Sequence, residues 1–189
     1  MKPGSWKVLS SAVHADCRIF TVHRSRRKST LSGIEHDFYT IEGYDWVNVI
    51  PVTSDGHLVL VRQFRHGVGE FTLELPGGAI HPGEDPVAGG LRELEEETGY
   101  RSGSARLLGK SFPNPAIQSN TCYYLLAEDC LPSGQVNPDP AEEIEIVLMP
   151  IHEIRERLLA GEFSHALVMN GLFLWLNQTT SGNHGTQIG

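Results

Sequence analysis

Four glutamates stand close together in the middle of the chain, and their spacing could hold a divalent cation. Glu93, Glu95, Glu96 and Glu97 fall within the nine residues Arg92–Tyr100. On a helix, Glu93 lies one turn from both Glu96 and Glu97, so these carboxylates repel one another. A hard cation such as Mg²⁺ or Mn²⁺ among them would explain the cluster, because both ions prefer oxygen ligands. The alternative from these residues alone is a solvated acidic helix face.

The helix that must carry these glutamates has recognisable ends. Asp85 is a residue type that accepts backbone N–H bonds at an N-cap, and Pro86 suits the first helical position. Gly99 is a natural C-terminal stop. We therefore predict a helix from Asp85–Pro86 to Gly99. The preceding segment, Leu75–Gly83, is rich in Gly and Pro and cannot be regular structure throughout.

The glycines and charges around this helix resemble the Nudix box, the loop–helix–loop signature of the Nudix hydrolases. Gly78 is followed after five residues by Glu84, and after seven more by Arg92-Glu-Leu-Glu-Glu-Glu-Thr-Gly99. Every fixed Gly, Glu and Arg of the signature stands at its spacing. The one departure is Tyr100, where a small aliphatic residue is usual. A match of this length rarely arises by chance, unlike a lone glycine motif.

This resemblance implies an enzyme that uses divalent metals to hydrolyse a nucleoside diphosphate linked to another group. By position, it implies three carboxylates and one backbone carbonyl as metal ligands: Glu93, Glu96, Glu97 and Gly77. It also makes Glu96 and Glu97 catalytic, with Mg²⁺ as the expected cofactor and Mn²⁺ as a possible substitute. Four further residues would be structural parts of the box: Gly78, Glu84, Arg92 and Gly99. Glu84 and Arg92 would form a salt bridge that orients the helix.

Features outside the box resemble the ADP-ribose pyrophosphatases and other nucleoside-diphosphate-sugar hydrolases. In that branch Arg65 and Glu74 are expected to contact substrate, Trp46 to lie against the base, and a proline such as Pro115 to follow the box. Each has a plainer alternative: Arg65 as a surface arginine, Glu74 as a partner of a nearby arginine, Trp46 as core and Pro115 as a turn. The expected reaction converts ADP-ribose into AMP and ribose 5-phosphate. GDP-mannose or another sugar nucleotide remains an alternative substrate, and a non-catalytic sugar-nucleotide sensor an alternative class.

The resemblance implies that the general base is a glutamate on a loop before the last strand. Asn137–Glu145 contains two prolines and several acids, which favours a loop. Glu142 and Glu143 are the best candidates, with Asp139 behind them, whereas Glu145 alternates with isoleucines and belongs to the following strand. The alternative is a solvated acidic loop without a catalytic role.

The elements around the box predict an α+β fold with a mixed sheet, and the resemblance implies a Nudix α/β/α sandwich with a small N-terminal antiparallel β subdomain. We predict strands at 17–23, 36–42, 46–53, 57–65, 104–111, 121–127 and 144–149. We also predict a helix over 151–177, broken near 161–164. The domains would be 1–45, 46–178 and a flexible tail at 179–189. The resemblance implies that the first domain dimerises, possibly by exchange between two subunits, which makes a homodimer the expected assembly. The basic run His23–Lys28 is predicted to be a hairpin loop, either solvated or anion-steering.

The composition excludes several classes of protein. With 40% hydrophobic residues, the 189-residue chain can build a core, so wholesale disorder is excluded. No apolar run approaches the roughly 20 residues of a membrane span, and we expect no secretory signal. The net charge of −8 argues against a nucleic-acid partner. Cys17, Cys122 and Cys130 lack metal-site spacing, which predicts reduced thiols in a cytoplasmic protein. The resemblance implies that its partner is a small nucleoside diphosphate sugar.

Overall fold

The computed structural model describes residues 4–134 and 143–181. Within these ranges lie ten strands: β1 (Trp6–Asp16), β2 (Phe20–Ser29), β3 (Glu35–Gly43), β4 (Trp46–Thr53), β5 (His57–Arg65), β6 (Glu70–Glu74), β7 (Tyr100–Arg101), β8 (Ala105–Ser111), β9 (Cys122–Pro132) and β10 (Ile144–Pro150). The helices are α1 (Pro86–Thr98), α2 (Ile154–Leu159) and α3 (Ala166–Ser181). The chain divides into two compact units, the first formed by residues up to Tyr44 with Phe112–Thr121, the second by Asp45–Ser111 with the chain from Cys122 onward.

The first unit is built on a three-stranded antiparallel sheet in the order β1-β2-β3. The sequence predicted β3 but placed β2 too early and missed β1, whose side chains are almost all exposed and therefore carry little burial pattern. Around Pro115 the chain forms a tight turn, because the carbonyl of Asn114 accepts from the backbone N–H groups of Ile117 and Gln118. The turn proposed as the plainer meaning of Pro115 is therefore present.

The basic run His23–Lys28 lies within strand β2, so its prediction as a hairpin loop is wrong. Asp37 on β3 accepts hydrogen bonds from the guanidinium groups of Arg24 and Arg26, at 2.5 and 3.3 Å. Lys28 lies 3.6 Å from Glu35 on the same neighbouring strand. Cross-strand pairs of opposite charge stabilise an antiparallel sheet, which is why a run of cations tolerates extended structure here.

The second unit contains a mixed sheet in the order β10-β5-β4-β9-β7, with β6 joined to β5 and β8 to β9. Strands β4 and β9 run parallel, whereas the other pairs are antiparallel. Alternate β4 residues enter two cores: Val47 and Val49 pack with Leu94 of α1, and Ile50 packs in the cluster that contains Leu172 of α3. This two-core arrangement with helices confirms the predicted α/β/α sandwich.

Helix α1 begins and ends where the sequence predicted. The Asp85 side chain accepts from the backbone N–H groups of Val87 and Ala88, at 2.9 and 3.2 Å, and Pro86 is the first helical residue. Gly99 ends the helix in the left-handed conformation, with φ 65°, and donates its N–H to the carbonyl of Glu95. These caps fix both ends of the segment that carries the glutamates.

The predicted broken helix over 151–177 is confirmed as two helices, α2 and α3. Helix α3 continues to Ser181, past the start of the predicted tail at Thr179, and residues 182–189 lie outside the described residues. Strand β6, which the sequence did not predict, pairs with β5 and carries Glu74. No helix within the described ranges is long and apolar enough to cross a membrane.

Candidate active site

The loop Pro76–Gly78 lies against strand β4 through backbone hydrogen bonds. The N–H of Val47 donates to the carbonyl of Gly78 and that of Val49 to the carbonyl of Pro76, both at 2.9 Å. A Cβ at Gly77 would lie 2.0 Å from the Val47 carbonyl oxygen. A Cβ at Gly78 would lie 2.7 Å from the Glu93 carboxylate. Glycine is therefore required at the first position by the backbone and at the second by a glutamate of α1.

Arg92 lies among three of the box carboxylates. Its Nε and Nη2 donate to the two oxygens of Glu84, at 3.0 and 3.1 Å. Its Nη1 donates at 2.9 Å to both Glu93 and Glu96, and its Nη2 also contacts the carbonyl of Ala79. The hydrogen bonds that Arg92 donates to these carboxylates, above all to Glu84, raise its pKa. The bidentate geometry, together with the Ala79 contact, joins helix α1 to the loop that precedes it.

Glu84 is a strongly perturbed carboxylate. The hydrogen bonds from Arg92, and then from the backbone N–H of His81, lower its pKa from 4.5 to about 2. The side chain is only 18% exposed, so the pair with Arg92 is better shielded from solvent than a surface ion pair. The salt bridge that the resemblance implied between these two residues is present in the structure.

We expect Glu84→Gln to lower the free energy of unfolding by about 2 kcal/mol near neutral pH, after allowance for solvent screening. The folded pKa lies below the unfolded value. The contribution of the carboxylate is therefore complete above about pH 4.5 and is lost as the pH falls towards 2. Urea unfolding of both proteins should show a stability difference that shrinks on acidification. An equal difference at neutral and acidic pH would contradict this assignment.

Glu97 is buried at the junction of α1 and the glycine loop. The residue is 4% exposed, and its Oε2 accepts the Gly77 N–H at 2.9 Å. Glu93 and Glu96 lie on the same helix, and their carboxylates accept hydrogen bonds from Nη1 of Arg92. No three acidic, His or Cys side chains within residues 4–134 and 143–181 already stand in a cation-coordinating arrangement. The donor chemistry nevertheless fits a hard divalent cation, because it consists of carboxylate and carbonyl oxygens beside two glycines that have no side chains.

A cavity of about 1100 Å³ opens beside the loop Pro76–Gly78 and is lined by all three residues that the sequence assigned to substrate binding. Trp46, Arg65 and Glu74 all line it, together with Gly77 and Gly78. This volume lies slightly above the range of roughly 300–1,000 Å³ that is typical of small-molecule sites, so the cavity has room for a nucleotide-sized ligand. The ends of β4 and β5 and most of β6 therefore bring these residues together beside the box.

Arg65 and Glu74 form a bidentate ion pair across β5 and β6. Arg65 Nε and Nη2 donate to the two carboxylate oxygens of Glu74, each at 2.7 Å, and the Thr72 hydroxyl donates to Oε1. Burial raises the pKa of Glu74, but the hydrogen bonds from Arg65 and Thr72 outweigh it, and the pKa lies below its usual value. Glu74 is 2% exposed, whereas the Arg65 side chain is 42% exposed. The structure thus contains the arginine pairing that the sequence left as an alternative for Glu74.

The remaining assigned residues are Trp46 and the acidic residues considered for the general base. Trp46 lines the cavity and is also partly buried against the core, so both meanings given to it are compatible with its position. Glu143 is exposed and lines the same cavity. Glu145 lies in β10, as expected, 3.5 Å from Arg62. Glu142 and Asp139 lie outside the described residues.

Sequence reasoning missed several polar residues that line the cavity. Gln63 and Thr72 lie on β5 and β6, and His165 immediately precedes α3. The alternation of the strands could have placed the first two on the Glu74 face. No sequence signal could have found His165, because histidine is not a residue that usually marks a helix start.

The fold and the loop–helix site together define a class of protein, and comparison with known families agrees. The NUDIX domain model matches residues 45–170, and the chain belongs to this family. The fold is also that of a solved structure described as an ADP compounds hydrolase. The TM-score is 0.84 over 97% of both chains, with 24% sequence identity.

Within the family, the chain resembles enzymes named for ADP compounds. It is 35% identical over 137 residues to the ADP-sugar pyrophosphatase of Mus musculus, covering 66% of this chain and 62% of that protein. It is 35% identical over 83 residues to the ADP-ribose pyrophosphatase of Bacillus subtilis, covering 44% and 45%. It is 29% identical over 133 residues to the ADP compounds hydrolase NudE of Escherichia coli, covering 69% and 70%. The matched segments thus span less than two thirds of the first two relatives.

Proposed function

We propose that this protein hydrolyses the pyrophosphate bond of nucleoside diphosphate sugars, with ADP-ribose converted into AMP and ribose 5-phosphate. The observation that carries the proposal is the complete loop–helix site, in which Arg92 joins α1 to its preceding loop and Glu97 contacts Gly77 at the edge of a large cavity. The names of the relatives support ADP compounds as the substrate class.

The residues would divide the work as follows. Glu93, Glu96, Glu97 and the Gly77 carbonyl would hold a divalent cation, for which we propose Mg²⁺ with Mn²⁺ as a substitute. Such a cation neutralises charge on a diphosphate and lowers the pKa of bound water. Arg92 and Glu84 act indirectly, because their hydrogen bonds fix the helix and loop that carry these ligands.

A loop glutamate would accept the proton of the attacking water. Glu143 lines the cavity and is exposed, which supports it as the acceptor of a proton from a water there. Glu142, its neighbour in the sequence, remains the second candidate. Comparing Glu143→Gln with Glu142→Gln identifies the base, since only loss of the base removes the acidic limb of the rate–pH profile, in which the rate rises as the base loses its proton.

The first test is hydrolysis of a panel of nucleotides with Mg²⁺ and with Mn²⁺, with products resolved by chromatography. The panel contains ADP-ribose, GDP-mannose, UDP-glucose, NADH, a dinucleoside polyphosphate and dGTP. Release of AMP from ADP-ribose supports the proposal, and a faster reaction with GDP-mannose moves the substrate preference within the same class. Tight binding of one sugar nucleotide without turnover of any would favour a sensor instead.

We further propose that the protein is a cytoplasmic homodimer that joins through its N-terminal sheet. Strand β1 is at the edge of that sheet and exposes the large apolar side chains of Trp6, Val8, Leu9 and Val13. A long exposed edge strand invites pairing with a second chain. Light scattering at micromolar concentration should give the mass of a dimer, and a monomer would contradict the proposal. The three free cysteines support a reducing compartment.

The Arg65–Glu74 pair allows a test of whether it binds substrate or only holds the strands together. If Arg65 binds substrate, Arg65→Lys should raise KM for ADP-ribose about tenfold with a small change in unfolding temperature, because lysine keeps the charge and loses the planar fork. If the pair is only structural, the unfolding temperature should fall and KM should not change. Arg106→Lys, on β8 and outside the cavity lining, is the matched control.

A further inference from the structure

His165 occupies the N-cap position of α3 in an unusual way. Its backbone carbonyl accepts the Met169 N–H at 3.0 Å, as the first bond of a helix, and its ring Nδ1 accepts the Leu167 N–H at 3.2 Å. Ser, Thr, Asp and Asn are the residue types that cap helices best. A histidine here supplies a weaker cap, and it also supplies a second ring nitrogen that the better capping residues lack.

The cap contact determines which ring nitrogen carries the proton. Since Nδ1 accepts a hydrogen bond, the neutral imidazole must hold its proton on Nε2, where it becomes a donor. Phe163 and Val168 are 1% and 0% exposed and anchor the chain on both sides, so the ring stands on a fixed segment. In the part of the chain that the structure describes, Nε2 has no hydrogen-bond partner.

The residue that carries this donor lies on the wall of the cavity described above. His165 lines it together with Ser164 and Glu74. Glu74 is already bonded to Arg65 and Thr72 and does not need a third donor. The Nε2 proton is therefore available to a molecule that enters the cavity.

We propose that His165 binds substrate, with its Nε2–H donating a hydrogen bond to an acceptor oxygen of the nucleoside diphosphate sugar. The proposal rests on the proposed function, because it takes that class of molecule as the occupant of the cavity. The oxygen belongs either to the nucleotide half or to the sugar-phosphate half of the substrate, and both offer the same acceptor chemistry.

The test is the substitution His165→Asn, which keeps a good capping residue and is too short to reach the position of Nε2. We expect KM for ADP-ribose to rise about tenfold, the scale of one lost hydrogen bond, with kcat within about twofold of wild type. The unfolding temperature should stay within about 2 °C. His165→Ala should show the same rise in KM and also a lower unfolding temperature, because it loses the cap. His152→Asn, an exposed histidine outside the cavity, is the matched control.

Product inhibition distinguishes the two possible acceptors. Weaker inhibition of the variant by AMP places the oxygen in the nucleotide half, and weaker inhibition by ribose 5-phosphate places it in the sugar-phosphate half. Wild-type KM and unchanged inhibition by both products in His165→Asn would overturn the proposal and leave His165 as a helix cap alone. Wild-type protein that hydrolyses no member of the panel would instead overturn the proposed function, and this proposal with it.

Discussion

Replacing Glu97 by glutamine is expected to lower kcat for ADP-ribose by about a thousandfold or more while the protein keeps its fold. The amide has the same shape and retains an oxygen that can accept the Gly77 N–H, now at 2.9 Å from Glu97. It loses the negative charge, and a neutral amide is a much weaker partner for a divalent cation than a carboxylate. Because the residue is only 4% exposed, water cannot take the place of the lost carboxylate as a ligand.

The matched control for this variant is Glu95→Gln on the same helix. The backbone carbonyl of Glu95 accepts a hydrogen bond from the Gly99 N–H, and the substitution leaves this bond in place. Glu95 is not one of the proposed metal ligands. Both variants change the net charge equally, so any effect of charge alone on substrate attraction appears in both. Kinetics at saturating Mg²⁺ and thermal unfolding should be measured together. Turnover near the wild-type rate in Glu97→Gln would refute the role given to this carboxylate.

The second large effect is expected from the two adjacent glycines of the loop, whose substitutions should fail in different ways. Gly78→Ala places its Cβ 2.7 Å from the Glu93 carboxylate, the far end of a flexible side chain that can move aside. The fold should survive with a loss of about 1 kcal/mol or less, and kcat should fall about a hundredfold because a ligand has been displaced. Kinetics and urea unfolding of the same preparation measure both quantities.

Gly77→Ala should instead prevent stable folding. Its Cβ would lie 2.0 Å from the Val47 carbonyl oxygen, which is held in the centre of the sheet and cannot move aside. We expect a loss of more than about 4 kcal/mol in the free energy of unfolding, or no soluble protein. Gly103→Ala, where a Cβ meets nothing within 4 Å, is the neutral control. Equal stability losses in the Gly77 and Gly78 variants would contradict the separation of their roles.

The part of the site that the sequence predicts is the part whose geometry is local. Asp85, Pro86 and Gly99 fix the ends of α1 because each acts on backbone within a few residues. Once the helix is fixed, its 3.6-residue period places Glu93 and Glu97 on one face. The spacing of Glu84 from Arg92 likewise survives in the structure as a pair of hydrogen bonds.

The parts that the sequence did not predict depend on partners far along the chain. The run of cations in β2 predicted a loop, because the sequence does not show that Asp37 and Glu35 of β3 lie beside these cations. Strand β1 has no buried face that would give it a hydrophobic period. His165 becomes a cavity residue only because α3 begins at the wall of the cavity that Glu74 of β6 also lines, a relation that no local pattern reports.

The parallel pairing of β4 with β9 has a consequence for the order in which the chain folds. The hairpin of β5 with β6 and the helix α1 are local in sequence and can form early, whereas Trp46 meets Cys122 only after a long loop closes. Gly77 and Gly78 receive their positions from β4, so their final placement depends on the central strand being secured. We therefore expect refolding to be slow relative to helical domains of this size, with activity returning in the same kinetic phase as the long-range strand pairing.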